Sequence, residues 1–227
     1  MLGPRPEAVL FDFGGTLDSD GEPWKERFFR IWSEEAGETP RTRFDPAFYA
    51  ADDALVGTIP PSFLLSETIA LLSRGVAARL GAGAAAAERA GRRFAEETRG
   101  TLARRADLLG RLSASYRLGI VSNFYGNLQS VCEEAGIARF FLASIDSVVV
   151  GCSKPAPAIF EAALAALDVG AAAAIFVGDS IPRDMAGARG VGMRHVLLRA
   201  TNGAAPSLCC PGDAEIGRLE DLCGILP

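Results

Sequence analysis

Short apolar runs and helical patterns alternate along most of the chain. The apolar runs are nearly unbroken, which is typical of parallel strands covered on both faces. Five candidate strands lie at residues 8–13, 117–122, 145–150, 174–178 and 195–199. Helical patterns separate the later strands, at residues 127–135 and 155–167. This alternation predicts an α/β fold with a doubly wound, Rossmann-like parallel sheet.

One stretch, at about residues 19–99, interrupts the alternation and contains no convincing strand. Two sets of apolar residues recur at helical spacing within it: Trp24, Phe28 and Trp32, and then Leu65, Ile69, Leu72, Val76 and Leu80. The alanine-rich segment that follows carries evenly scattered charges, which is typical of a helix and not of a linker. We therefore predict two units. Residues 1–18 and 100–227 form the α/β core domain, and residues 19–99 form an inserted helical cap.

Composition and charge narrow the function classes. Among 227 residues, 23 lysines and arginines face 28 aspartates and glutamates, so the net charge is −5. This balance gives no electrostatic footprint for nucleic acid or for an anionic membrane. No apolar run approaches the roughly 20 residues that span a bilayer, and the start of the chain lacks the apolar segment of a signal peptide. We expect a cytoplasmic protein with reduced cysteines that binds neither nucleic acid nor a membrane.

Polar residues follow four of the predicted strands. In open parallel sheets ligands bind beyond the carboxyl ends of the strands, so residues at these ends meet in space. The candidates are Asp12, Ser122, Asn123, Lys154, Asp179 and Asp184. Carboxylates suit a hard divalent cation such as Mg²⁺, whereas a lysine, a hydroxyl and backbone amides suit a phosphate group. The set predicts a site for both.

Four segments resemble, in the same order, the four motifs of the haloacid dehalogenase superfamily. They are LFDFGGTLD with Asp12, GIVSN with Ser122, SKPAPAIF with Lys154, and FVGDSIPRD with Asp179 and Asp184. The predicted helical insertion lies where that family has its small cap. The resemblance spans residues 8–184 and so covers most of the chain.

The resemblance implies a Mg²⁺-dependent phosphohydrolase that acts on a small phosphorylated metabolite. Asp12 would be the nucleophile and would form an aspartyl-phosphate that water then cleaves. Ser122 would donate a hydrogen bond to a phosphoryl oxygen, and Lys154 would balance the negative charge. The expected metal ligands are Asp12, the carbonyl of Gly14, Asp179 and Asp184, and the expected substrate-binding residues are Gly15, Thr16 and Asn123. The oligomeric state stays open between a monomer and a homodimer.

One position departs from the family pattern. The phosphatases of this superfamily usually carry an aspartate two residues after the nucleophile, where this chain has Gly14. That aspartate acts as general acid and then as general base, a contribution of about 10²–10⁴ in rate. The backbone carbonyl at this position can still bind a metal.

Three interpretations of Gly14 stay open. The protein is a phosphohydrolase that needs little leaving-group protonation or takes an acid from elsewhere, with Asp18 and Asp20 as candidates. Alternatively, it is a dehalogenase that cleaves at carbon, or a catalytically weakened member that binds a phosphorylated ligand or a partner. Asp179 and Asp184 argue against the dehalogenase, since a metal-free enzyme does not need this acidic pair.

Overall fold

The computed structural model describes residues 5–199 and 214–227. Its centre is one six-stranded parallel sheet with the strand order β3-β2-β1-β4-β5-β6. The strands are β1 (Ala8–Phe11), β2 (Arg117–Ser122), β3 (Ala143–Asp146), β4 (Ala174–Gly178), β5 (Arg194–Leu198) and β6 (Ala214–Ile216). The helices are α1 (Trp24–Ala36), α2 (Arg41–Asp53), α3 (Leu65–Leu80), α4 (Ala84–Ser113), α5 (Leu128–Glu134), α6 (Ser147–Val150), α7 (Pro157–Leu167), α8 (Ala186–Gly190) and α9 (Leu222–Ile225). The predicted α/β fold class is confirmed.

Strand β1 lies in the middle of the sheet and is covered on both faces. It pairs with β2 on one side and with β4 on the other, so that Phe11 is in register with both Ile120 and Val177. Side chains alternate along a strand, and Val9 and Phe11 belong to a different core cluster from Leu10. This central position places the carboxyl end of β1 between the ends of its two neighbours.

Helices α1 to α4 lie between β1 and β2 along the chain and share one hydrophobic core. Helices α1, α2 and α4 contribute its buried aromatic side chains, which are Phe28, Trp32, Phe44, Phe48 and Phe94. Helix α4 runs without a break from Ala84 to Ser113, so the domain boundary predicted between residues 99 and 100 lies inside one helix. The division into residues 19–99 and the rest stays a prediction.

The strand predicted at residues 145–150 is wrong in its last four residues. Strand β3 ends at Asp146, and residues 147–150 form helix α6. The Asp146 side chain accepts a hydrogen bond from the backbone N–H of Val148, 2.9 Å away, and caps this helix. Three consecutive valines favour a strand by propensity, but capping by Asp146 overrides that preference.

Strand β1 is shorter than predicted, and β6 is an additional strand. Strand β1 ends at Phe11 and not at residue 13, because the chain turns sharply from Phe13 to Leu17. The short strand β6 was not predicted, since three residues carry too little pattern.

In the part of the chain that the structure describes, no helix is long and apolar enough to cross a membrane.

Candidate active site

Asp12 follows directly after β1 and is held by several donors. Its backbone N–H donates to the carbonyl of Val177 across 2.9 Å, which ties it to strand β4. Its Oδ1 atom accepts from the Phe13 N–H at 2.7 Å and from the Ser122 hydroxyl at 3.1 Å, and it lies 2.7 Å from Nζ of Lys154. Among the residues that the structure describes, none donates a hydrogen bond to Oδ2 of Asp12. One oxygen of Asp12 is therefore fixed, and the other is available for chemistry.

Lys154 joins two carboxylates inside the protein. Its Nζ atom lies 2.7 Å from Oδ1 of Asp12 and 2.7 Å from Oδ1 of Asp184. The side chain is buried. Burial disfavours the charged ammonium, but the negative charges of Asp12 and Asp184 outweigh it and raise the pKa of Lys154 above its usual value. The two carboxylates therefore favour the charged form of Lys154.

Two glycines make room for the acidic pair after β4. A Cβ atom at Gly15 would lie 2.6 Å from both carboxylate oxygens of Asp179, and Gly15 also has a φ of +93°. A Cβ atom at Gly178 would lie 2.5 Å from Oδ2 of Asp184. Both glycines are required because the carboxylates pack directly on the backbone.

Hydrogen bonds fix the orientation of both carboxylates. The Thr16 hydroxyl donates to Oδ1 of Asp179 across 3.2 Å, and the backbone N–H of Ser180 donates to Oδ2 of Asp184 across 2.9 Å. Thr16 is fully buried. The structure thus gives Thr16 a role in orienting Asp179, and its contact with substrate stays a prediction.

The site carries an excess of negative charge. Asp12, Asp179 and Asp184 each offer an oxygen within 4.8 Å of the other two, against the single ammonium of Lys154. Burial, together with the charges of Asp184 and Asp12, raises the pKa of Asp179 well above its usual value. Burial is also the main cause that raises the pKa of Asp184. Because hard carboxylate oxygens with uncompensated charge are what Mg²⁺ binds, the donor set fits this cation.

Asn123 does not point its amide at the acidic cluster. Its Nδ2 donates to the carbonyl of Lys154 at 3.1 Å, and its Oδ1 accepts from the N–H of Lys154 at 2.7 Å. Both polar atoms of Asn123 are therefore used to hold the backbone of the lysine. The role of Asn123 in substrate binding stays a prediction. Its role in positioning Lys154 was not predicted from the sequence.

The space at Gly14 is filled by an aromatic ring. A Cβ atom at Gly14 would lie 3.0 Å from Nε1 and 3.1 Å from Cδ1 of Trp24. The indole N–H donates to Oδ2 of Asp18 across 2.6 Å. Its helical spacing in the sequence places Trp24 on a predicted cap helix, but no local pattern shows which backbone position its ring covers.

Both candidate substitute acids, Asp18 and Asp20, form structural contacts. Asp18 is fully buried, forms an ion pair with Arg27, and accepts the backbone N–H of Gly15 across 2.7 Å. Asp20 forms an ion pair with Arg105 at 2.5 Å. Both carboxylates therefore act as acceptors in structural contacts, and the Asp20 side chain is 43% exposed. The suggestion that one of them supplies a proton stays a prediction.

The segment after β2 connects the core to the cap. The hydroxyl of Tyr125 donates to Oδ1 of Asp52 on helix α2. The ring of Phe124 lies 5.7 Å from Trp24 and 5.0 Å from Tyr125, centroid to centroid. Asp146 holds this segment by accepting the backbone N–H of Gly126 at 2.9 Å. These contacts give the site an aromatic wall, and no sequence motif pointed to them.

The fold and the site together define an α/β protein with a helical cap. Asp179 and Asp184, whose carboxylates fit a cation, lie beside the fixed carboxylate of Asp12. A family model described as haloacid dehalogenase-like hydrolase matches residues 6–192. The chain belongs to this family, and the resemblance seen in its sequence is confirmed.

Curated relatives match part of the chain. Haloacid dehalogenase-like hydrolase domain-containing protein 3 of Bos taurus is 35% identical over 103 residues, which cover 45% of this chain and 41% of that protein. Glyceraldehyde 3-phosphate phosphatase of Pyrococcus abyssi is 40% identical over 87 residues, which cover 37% of this chain and 36% of that protein. The matches therefore span less than half the length of these relatives.

Solved structures match nearly the whole chain in fold. An L-2-haloacid dehalogenase covers 98% of this chain and 99% of its own, with a TM-score of 0.67 and 22% identity. A HAD phosphatase from Thermococcus onnurineus covers 97% of each chain, with a TM-score of 0.60 and 22% identity. At these identities the likeness is one of fold.

Proposed function

We propose that this protein is a Mg²⁺-dependent phosphohydrolase that acts on a small phosphorylated molecule. One observation carries the proposal: the Asp12 carboxylate is held through Oδ1 by Ser122 and Lys154, with Asp179 and Asp184 beside it. This arrangement fixes a nucleophile next to a place for a cation. The named phosphatase among the relatives supports the same chemistry.

The reaction begins at Asp12. Its Oδ2 attacks phosphorus, the bond from phosphorus to the leaving oxygen breaks, and an aspartyl-phosphate forms. The three contacts at Oδ1 orient the Asp12 carboxylate before the substrate binds. The carboxylate therefore needs little reorientation during the reaction. Lys154 balances part of the negative charge of the transferred group.

The cation has one task. Mg²⁺, when held by Asp12, Asp179 and Asp184, would neutralise the charge that otherwise keeps a phosphate dianion away from a carboxylate. The carbonyl of Gly14 stays a proposed further ligand. Thr16 and Ser180 hold the acidic pair in place through the hydrogen bonds described above.

The test is phosphate release by the purified chain from a panel of small phosphoesters and acyl phosphates. We expect release with Mg²⁺, none with a chelator, and none from Asp12→Asn. Asp107→Asn is the matched control, because Asp107 lies exposed on helix α4. Halide release from 2-haloacids without metal would assign the chain to the dehalogenases. Binding of a phosphate analogue without any turnover would assign it to the binding proteins, and either result would overturn the proposal.

A further inference from the structure

The space available, and not the backbone conformation, explains why a glycine occupies position 14. Gly14 has a φ of −78° and a ψ of 117°, which any residue adopts. The obstacle is Trp24, whose Nε1 and Cδ1 atoms would lie 3.0 and 3.1 Å from a Cβ at this position. One methyl carbon is already tight there, and a carboxylate beyond it needs more room.

Several contacts hold the Trp24 ring where it is. Its N–H is bound to Asp18, and Asp18 is in turn paired with the buried Arg27. The ring also makes edge contacts with Phe94 and Phe124, at centroid distances of 5.2 and 5.7 Å. The indole therefore cannot swing aside without breaking this hydrogen bond and both ring contacts.

The ring brings no proton donor to the reacting group. Its N–H is already used on Asp18, and its remaining atoms are carbon. Tyr125, the hydroxyl-bearing ring of the same wall, donates to Asp52. Trp24, which lies against Gly14, and its neighbour Tyr125 therefore offer no free acidic proton.

We propose that Trp24 is a specificity-determining residue, and that it selects phosphorylated substrates whose leaving group departs as a stable anion. Acyl phosphates are the substrate class that fits, and alkyl phosphate monoesters are the class that is disfavoured. This inference rests on the proposed function, because it assumes phosphoryl transfer to Asp12.

Protons and electrons balance without a side-chain acid. In the first step Asp12 forms its bond to phosphorus, and the leaving carboxylate takes the electron pair of the broken P–O bond and needs no proton. In the second step the oxygen of water forms a bond to the phosphorus of the aspartyl-phosphate, and the bond from phosphorus to Asp12 breaks and releases the carboxylate. Both protons of water stay on the product, dihydrogen phosphate. An alkoxide leaving group is a strong base, and for it the missing acid costs about 10²–10⁴ in rate.

The experiment compares kcat/KM for acetyl phosphate and for glycerol phosphate in four proteins: the natural chain, Gly14→Asp, Gly14→Asp/Trp24→Ala and Gly14→Asp/Trp24→Phe. We expect the natural chain to prefer acetyl phosphate by about 10²-fold or more. Gly14→Asp alone keeps this preference, because the ring blocks the new carboxylate. Gly14→Asp/Trp24→Ala narrows the preference about tenfold or more. The phenylalanine double variant narrows it less, because it keeps a six-membered ring although it loses the pyrrole part of the indole with its N–H.

The outcomes separate this inference from the proposed function. Equal cleavage of both substrates by the natural chain would overturn the role of Trp24 and leave the phosphohydrolase standing. The same follows if Gly14→Asp alone narrows the preference as much as the double variant does. Absence of phosphate release from every substrate would overturn both. Because the variants could unfold, urea denaturation is run on each, and destabilisation by Gly14→Asp that Trp24→Ala relieves supports the steric contact independently of activity.

Discussion

The ammonium nitrogen of Lys154 lies 2.7 Å from Oδ1 of Asp12, and both side chains are buried. Lys154→Met removes this cation and leaves Asp12 and Asp184 without their ion pair. We expect kcat/KM to fall about 10²–10³-fold. The free energy of unfolding at neutral pH is expected to fall by about 3–5 kcal/mol, because buried charges lose their partner. Phosphate release and urea denaturation measure the two effects, and unchanged activity would refute the charge-balancing role.

Asn123 and Lys154 form one unit, which a double-mutant cycle can test. Asn123→Ala removes two hydrogen bonds to the Lys154 backbone, and we expect a loss of kcat/KM of about tenfold. If Asn123 acts by positioning Lys154, the double variant Asn123→Ala/Lys154→Met is no worse than Lys154→Met. If instead the losses of kcat/KM in the two single variants multiply in the double variant, Asn123 contacts the substrate directly.

Gly15 and Gly81 both have left-handed backbone conformations, but their surroundings differ. Their φ and ψ angles are +93° and −16° for Gly15 and +70° and 25° for Gly81, and a Cβ at Gly81 meets nothing within 4 Å, whereas at Gly15 it meets Asp179. Gly81→Ala is expected to cost about 1–2 kcal/mol of stability from backbone strain alone. Gly15→Ala is expected to cost more and to raise the Mg²⁺ concentration needed for half-maximal activity. If the two variants lose the same amount of stability and Gly15→Ala leaves the Mg²⁺ dependence of activity unchanged, the close packing of Asp179 on Gly15 is refuted.

Arg27 and Arg30 share helix α1 but differ in burial. Arg27 is 3% exposed and pairs with the fully buried Asp18, whereas Arg30 is 39% exposed and pairs with Glu97 at 2.8 Å. Arg27→Met is expected to lower the free energy of unfolding by about 3–5 kcal/mol, since Asp18 is left as an unpaired buried charge. Arg30→Met is expected to cost less than about 1 kcal/mol. Urea denaturation of both variants gives the comparison, and similar losses would show that the buried pair adds nothing special.

Most of the candidate site could be predicted before the tertiary structure. Asp12, Ser122, Asp179 and Lys154 follow apolar runs or short loops, and strand ends in a parallel sheet meet at one edge. The structure brings these four together with Asp184. Residues 147–150 show the limit, because three valines predict a strand and Asp146 makes them a helix.

By itself the sequence determined the fold class, the order of the site residues along the chain and the absence of a carboxylate at position 14. These properties depend on local patterns, such as apolar runs and the residue type after each strand. Only the tertiary structure decided that Trp24 fills the space at Gly14 and that Asn123 holds Lys154. Both depend on which side chains meet across the fold, and no spacing along the chain encodes the direction in which a ring or an amide points.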